Sequence, residues 1–179
     1  NTGEYSQRYE NLDLDLVTKF SSDLDDVVES LSLENIKGSY PILIKFKSPE
    51  FTYVYHGQGL PPKGGVHSFK GWSKKRIDEM YHARNANVSF EQRLPIIQLR
   101  VQAECLRFIK ETAMNLAPVI GLQIDSVEFK SYSDGYLVKG FKARAGHDVA
   151  VRISKSYRSK FESYIKFRSK VFEGTEIST

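Results

Sequence analysis

The spacing of hydrophobic residues predicts a helix at each end of the chain. Residues 11–31 and 155–172 carry apolar side chains three and four positions apart, which places them on one face of an α-helix. In the first helix these are Leu12, Leu16, Phe20, Leu24, Val27, Val28 and Leu31. Acidic residues fill its other positions. We therefore expect this helix to pack on the body or on a second subunit, and to repel phosphate.

Between these helices, alternation of apolar and polar residues predicts β-strands. Residues 40–47 and 51–58 alternate on either side of a Ser-Pro-Glu turn and predict an antiparallel hairpin. Residues 123–131 and 135–142 predict a second hairpin, across a turn that contains an Asp-Gly step. Residues 148–153 predict a third strand. The chain should therefore contain small antiparallel sheets.

The central part of the chain contains a loop and one or two helices. Residues 59–71 are too rich in Gly and Pro for regular structure, and loops of this length are often functional. Ser73 can cap a helix over residues 74–87. Residues 95–101 predict a strand that runs into a helix through Asn115. Alternatively, the helix begins near residue 90 and Pro95 kinks it.

Together these elements predict an α+β fold, in which a small antiparallel sheet is flanked by helices. We divide the chain into an acidic N-terminal helical segment (1–35), a core (36–121) and a basic hairpin and helix (122–179). Net charge supports this division. Residues 1–36 hold nine acidic and two basic residues, whereas the remainder holds 13 acidic and 24 basic residues. A basic, aromatic-rich body is typical of a polyanion binder.

Cysteine content and hydropathy limit the class of protein. Cys105 is the single cysteine, so the chain can form neither an internal disulfide framework nor a cysteine-based zinc site. No apolar run approaches the length of a membrane span. We therefore expect a cytoplasmic (intracellular) protein that has no membrane partner.

The first predicted hairpin carries two tyrosine motifs. Gly38-Ser39-Tyr40 leads into the first strand, which begins at Tyr40, and Tyr55-His56-Gly57-Gln58 ends the second. Over residues 36–121 this layout resembles the GIY-YIG endonucleases, with Ser39 and His56 in the positions of the motif isoleucines. The resemblance implies a GIY-YIG-like core, and an enzyme that hydrolyses phosphodiester bonds in double-stranded DNA with Mg²⁺ or another divalent cation.

The resemblance also implies roles for individual residues. Its catalytic candidates are a tyrosine pair, an arginine on the following helix and two loop residues: Tyr40, Tyr55, Arg76, Lys63 and His67. A tyrosine can orient or deprotonate the attacking water, and an arginine offers a planar fork to phosphate oxygens. Glu104 is the implied metal ligand, with Glu111 and Glu162 as alternatives.

Basic residues outside the motif are candidates for contact with the DNA backbone. Lys74 and Lys75 begin the helix of Arg76, and Lys155, Arg158 and Lys160 lie in the basic C-terminal segment. Some GIY-YIG proteins are type II restriction enzymes. Because symmetric recognition sites favour two-fold symmetric proteins, we expect a homodimer in that case.

Two other functions remain open. Glu128 and Lys130 have the Glu-x-Lys spacing with which PD-(D/E)xK nucleases pair a metal ligand and a lysine on one strand face. The helix that ends at Pro118 and the hairpins after it also resemble phage head–tail connector proteins. In that reading the protein is not an enzyme, the tyrosines belong to the core and the basic residues line a capsid or DNA channel.

Overall fold

The computed structural model describes the following residues: 14–57, 71–86, 89–115, 119, 128–131, 135–142 and 147–173. Within them the fold is α+β, with five helices and two antiparallel sheets, of two and three strands. The expected helix-flanked antiparallel sheet is confirmed. The chain divides into two compact units, residues 1–100 and 101–179, with bounds that differ from those of the three expected segments.

The first unit contains a helical pair, a hairpin, a further helix and the start of a long one. In chain order these are α1 (Leu14–Ser30), α2 (Leu33–Lys37), β1 (Ile42–Lys47), β2 (Glu50–Tyr55), α3 (Lys74–Ala86) and α4 (Phe90–Thr112). The hairpin predicted from the alternation is confirmed, with Ile42 opposite Tyr55 and Lys47 opposite Glu50. Ile42 and Ile44 of β1 are buried, whereas most of β2 is exposed.

Helix α1 covers the edge of β1 that does not pair with β2. The Lys45 backbone N–H donates to Ser30 Oγ (2.9 Å), and the Lys47 N–H donates to Asp26 Oδ2 (2.8 Å). Asp26 is only 1% exposed and also contacts Lys47 Nζ at 3.1 Å. An unpaired strand edge can pair with a strand of another chain. These side chains therefore protect the edge and also accept hydrogen bonds from its backbone N–H groups.

A residue of α4, Arg100, holds the C-terminal end of α1. The guanidinium of Arg100 is buried and donates to the carbonyl oxygens of Leu31 (3.1 Å) and Val28. The last carbonyls of a helix have no intrahelical partner, and a cation there is favourable. Ser32 then caps the short α2 by accepting from the Asn35 N–H at 3.1 Å. The hydrophobic spacing gave no sign of α2.

Helix α4 corrects the strand expected at residues 95–101. The helix is continuous from Phe90 and contains Pro95. As far as Arg100, the buried positions of this helix have helical spacing: Arg93, Ile96, Ile97 and Arg100. Pro95 lies near the N-terminus, so it deletes a single hydrogen bond to the carbonyl of Glu91. The expected helix after Ser73 is confirmed as α3, with Ser73 Oγ accepting from the Arg76 N–H at 3.3 Å.

The second unit contains the end of α4, a three-stranded sheet and the last helix. The strands are β3 (Glu128–Ser131), β4 (Gly135–Lys142) and β5 (His147–Ser154), and the helix is α5 (Lys155–Val171). The second hairpin, the third strand and the last helix are thereby confirmed. Gly135 lies opposite Ser154, where a Cβ atom would stand 2.3 Å from the Ile153 carbonyl oxygen. Glycine is therefore required at that position.

Aromatic residues form the core of the second unit. The buried face of α5 consists of Tyr157, Phe161, Tyr164, Phe167 and Val171. Phe108 of α4 stacks on Phe161 with ring centroids 5.0 Å apart. Glu111 Oε1 accepts from the backbone N–H of Ser154, the residue that caps α5, at 2.6 Å. None of the described helices is both long enough and apolar enough to cross a membrane.

Replacing Asp26 with Ala should lower the free energy of unfolding by about 1–3 kcal/mol, because the Lys47 N–H loses its acceptor in a buried position. The exposed edge of β1 should also increase self-association. Urea unfolding and light scattering would measure the two effects. Asp23→Ala is the matched control, since Asp23 of α1 makes a partly exposed pair with Lys19. Equal effects of the two substitutions would contradict the edge-protection role.

Candidate functional site

The hairpin brings Tyr40 and Tyr55 together. Tyr40 lies two positions before Ile42, the first residue of β1, and Ile42 pairs with Tyr55. Their ring centroids are 6.1 Å apart, with an angle of 55° between the ring planes. Tyr40 is 4% exposed, and Tyr55 is only partly buried. The site is therefore closed at Tyr40 and more open at Tyr55.

Three hydrogen bonds hold Tyr40. Asn85 of α3 accepts from the Tyr40 N–H (2.8 Å) and donates to the Tyr40 carbonyl (3.2 Å). The Tyr40 hydroxyl donates to the carbonyl of Gln92 in α4 at 2.9 Å. The phenolic hydrogen is therefore already used in a hydrogen bond, but the oxygen retains lone pairs that can accept another.

A buried arginine that the sequence interpretation missed lies beside this pair. The Arg93 guanidinium is centred 3.9 Å from the Tyr40 ring centroid, within the range of a cation–π contact. Arg93 is 3% exposed, and its Nε, Nη1 and Nη2 atoms find no hydrogen-bond partner in the part of the chain that the structure describes. The only sequence signal was a base on the apolar stripe of α4, one turn before Ile96 and Ile97.

Burial and nearby charges act in opposite directions on Tyr55. Burial is the largest influence and raises the pKa of the Tyr55 phenol above its ordinary value, with Tyr40 and Tyr53 adding to the rise. Arg93 and Arg84 oppose it and lower the pKa. The net effect is upward. Tyr55 therefore carries a neutral hydroxyl near neutral pH, which can donate a hydrogen bond to an anion.

His56, which stands in the position of a motif isoleucine, anchors the end of β2. Its Nδ1 atom is 2.6 Å from the hydroxyl of Tyr81, a buried residue of α3. The two rings meet edge to face, with centroids 6.3 Å apart. Burial lowers the pKa of His56, which favours the neutral imidazole. This contact ties the strand of Tyr55 to the helix of Asn85.

Arg76, the predicted phosphate ligand, lies in the exposed first turn of α3. Its guanidinium is centred 4.1 Å from the ring of Trp72. The neighbouring Lys74 and Lys75 are exposed as well, and Lys75 is 3.8 Å from Glu79. The arginines whose charges lower the Tyr55 pKa are Arg93 and Arg84. The role of Arg76 remains a prediction. Lys63 and His67 lie outside the described residues.

The three candidate metal ligands belong to the second unit, and each carboxylate has a protein partner. Glu104 is 2% exposed and accepts from Arg107 Nη1 at 2.8 Å. Glu111 accepts from the backbone N–H of Ser154, and Glu162 accepts from Arg158 Nε at 2.6 Å. The described residues contain no group of three His, Cys, Asp or Glu side chains arranged to hold a metal ion. As placed, Glu104 does not fit a Mg²⁺ ligand.

The remaining candidates are on the surface of the second unit. Lys155 and Lys160 are exposed on α5. Arg158 is bonded to Glu162, and its guanidinium lies 4.2 Å from the centroid of the Tyr136 ring. On β3, Lys130 is exposed, while the side chain of Glu128 lies outside the described part of the structure.

No family model, no curated protein and no solved structure matches the chain. The resemblance to the GIY-YIG endonucleases therefore depends on the motif residues and on their geometry in this fold.

Glu104→Met should destabilise the second unit by about 3–5 kcal/mol, because it leaves the Arg107 guanidinium buried without this carboxylate. The double variant Glu104→Met/Arg107→Met should recover most of the loss. Differential scanning calorimetry would measure both, with Glu162→Met as a control that breaks a partly exposed pair. If Mg²⁺ raised the wild-type melting temperature but not that of Glu104→Met, Glu104 would be a metal ligand after all.

Proposed function

We propose that this protein is a divalent-metal-dependent DNA endonuclease and that the Tyr40–Tyr55 pair lies at its catalytic centre. The observation that carries the proposal is the packing of the two motif tyrosines against each other, beside the guanidinium of Arg93. A restriction enzyme of this kind would act as a homodimer on symmetric sites in double-stranded DNA.

The two tyrosines are suited to different tasks. Tyr55, which is partly exposed, presents a neutral hydroxyl that can donate to a phosphate oxygen or to the attacking water. The Tyr40 hydroxyl already donates to Gln92, so its oxygen can act as the acceptor that orients a water molecule. Arg93 and Arg84 make the surroundings of Tyr55 positive, which favours a phosphodiester.

The exposed face of α5 supports DNA as the partner. All the exposed residues of this helix are lysines or serines: Lys155, Ser156, Ser159, Lys160, Ser163, Lys166, Ser169 and Lys170. Its one acid, Glu162, is paired with Arg158. Lysine neutralises backbone phosphates and serine hydroxyls donate hydrogen bonds to them. The aromatic residues that lie between these lysines in the sequence, Tyr157, Tyr164 and Phe167, are buried.

The requirement for Mg²⁺ is part of the proposal, but its ligands are not assigned. Glu104, Glu111 and Glu162 already contact protein donors. The PD-(D/E)xK alternative, with Glu128 and Lys130, stays a separate prediction.

Because these carboxylates already accept hydrogen bonds from protein donors, a second candidate function is favoured. It is that of a DNA-binding protein without catalytic activity, such as a phage head–tail connector. In that protein the tyrosine pair would be packing alone, and the lysine-serine face of α5 would contact DNA or a capsid. Cleavage distinguishes this candidate from the endonuclease.

The wild-type protein should convert supercoiled plasmid to nicked and linear forms when Mg²⁺ is present and not when EDTA replaces it. Tyr55→Phe should lower the cleavage rate roughly 100-fold or more, because it deletes the hydroxyl that contacts phosphate or water. Tyr53→Phe is the matched control, since it makes the same change two positions away on an exposed ring that is 54% accessible.

Parallel variants separate the nuclease hypotheses. Glu128→Gln should cleave normally if the tyrosine site is catalytic. Loss of cleavage in Glu128→Gln with full activity in Tyr55→Phe would support the PD-(D/E)xK alternative. Loss in Arg76→Ala with DNA binding retained would support the predicted role of Arg76. A wild-type protein that binds DNA but never cleaves it would contradict the endonuclease proposal and favour the connector candidate.

Neutralising Lys155, Lys160 and Lys166 to Gln should weaken DNA binding equally for all sequences. The slope of log K against log salt should fall by about one unit per lost phosphate contact. Fluorescence anisotropy with a short duplex between 50 and about 200 mM salt would measure this change. Neutralising Lys19, Lys37 and Lys45, exposed residues of the first unit, alters net charge equally and is the control. An identical slope in both triple variants would exclude the α5 face as the contact surface.

A further inference from the structure

The guanidinium of Arg93 is enclosed by protein and is not hydrogen-bonded within the described part of the chain. All three of its nitrogen atoms are buried, and neither an acceptor nor a carboxylate lies within bonding distance among those residues. A buried charge without a partner is costly, so most are paired or bind an ion. The contact with the Tyr40 ring offsets only a small part of that cost, because a cation–π contact is weak compared with the loss of hydration of a buried ion.

The groups around Arg93 select the kind of ligand. Tyr40 stacks on the guanidinium, and the ring of the partly exposed Tyr55, whose hydroxyl is neutral, is centred 6.1 Å from that of Tyr40. Arg84 of α3 adds a second positive charge that acts on Tyr55. A cation would be repelled here, and a neutral ligand would leave the guanidinium charge uncompensated.

We propose that Arg93 and the hydroxyl of Tyr55 form a binding site for a phosphate group, with Arg93 as the principal ligand. Guanidinium binds phosphate oxygens through a planar fork of N–H donors, and a phenol donates to a further oxygen. Tyr55 is the open side of the cluster, so the phosphate enters there. The inference deepens the proposed function, on which it rests, by assigning the phosphate-binding arginine to α4 rather than to Arg76.

The experiment first uses the wild-type protein and two sources of phosphate. Thermal unfolding is recorded in chloride, in inorganic phosphate and in sulfate at equal ionic strength, and then with a short DNA duplex. Inorganic phosphate should raise the melting temperature by about 3–5 °C for each tenfold excess over its dissociation constant, because it binds the folded state alone. Calorimetric titration gives the affinity directly.

The second part compares Arg93→Met with Arg152→Met, which removes one charge from an exposed position of β5. Without phosphate, Arg93→Met should melt at the wild-type temperature or above it, because an apolar side chain replaces a buried charge that has no hydrogen-bond partner among the described residues. It should show no stabilisation by phosphate, and its affinity for phosphate should fall at least tenfold. Arg152→Met should respond to phosphate as the wild type does. If Arg93→Met does not fold, Arg93→Lys is used, and its response should be reduced because an ammonium lacks the planar fork.

Two outcomes would overturn the inference: no response of the wild type to phosphate or sulfate, or an undiminished response in the Arg93 variant. Failure of the proposed function would look different. Phosphate binding that depends on Arg93, in a protein that never cleaves plasmid, would retain the site and contradict the nuclease. Plasmid cleavage with no binding of phosphate would retain the nuclease and contradict the phosphate site.

Discussion

The hydrogen bonds that hold Tyr40 connect the elements on which the first unit depends. Asn85 binds both the N–H and the carbonyl of Tyr40, and the Tyr40 hydroxyl donates to the carbonyl of Gln92. One residue at the start of the hairpin is thereby joined to α3 and α4. The contact between His56 and Tyr81 makes a second connection from the hairpin to α3. The tyrosine pair is therefore fixed by three elements rather than by strand pairing alone.

This anchoring also determines the electrostatics of the candidate site. Tyr40 is closed from solvent, and the same packing encloses the guanidinium of Arg93 against its ring. A charge held in such a place interacts strongly with any anion that reaches it, since water screens it little. Tyr55 is the exposed end of the cluster. A buried positive charge behind a neutral hydroxyl is a suitable arrangement for binding phosphate, and it leaves proton abstraction by Tyr55 unfavourable near neutral pH.

In the second unit, the charged residues that stabilise the fold are different from those that are exposed on the surface. Glu104 and Arg107 form a buried pair, and Glu111 holds the start of α5. The lysines of α5 are exposed, on the face opposite its buried aromatic residues. An electrostatic surface that is so one-sided favours a polyanionic partner, because self-repulsion among the lysines is relieved on binding. The glutamates are thus explained by folding, whereas the exposed lysines are the basis of the proposed DNA contact.

The sequence by itself determined the elements whose signal is local. Strand alternation gave both hairpins, and the apolar spacing gave α5, because these patterns follow from the two- and 3.6-residue periods of the backbone. The sequence also placed one tyrosine of the motif on each strand of the first hairpin. Only the tertiary structure decided that Pro95 lies within a helix, that Glu104 pairs with Arg107 and that Arg93 stacks on Tyr40. Burial and hydrogen-bond partners depend on residues that are far apart in the chain. The identity of a charged residue therefore does not show whether water or protein surrounds it.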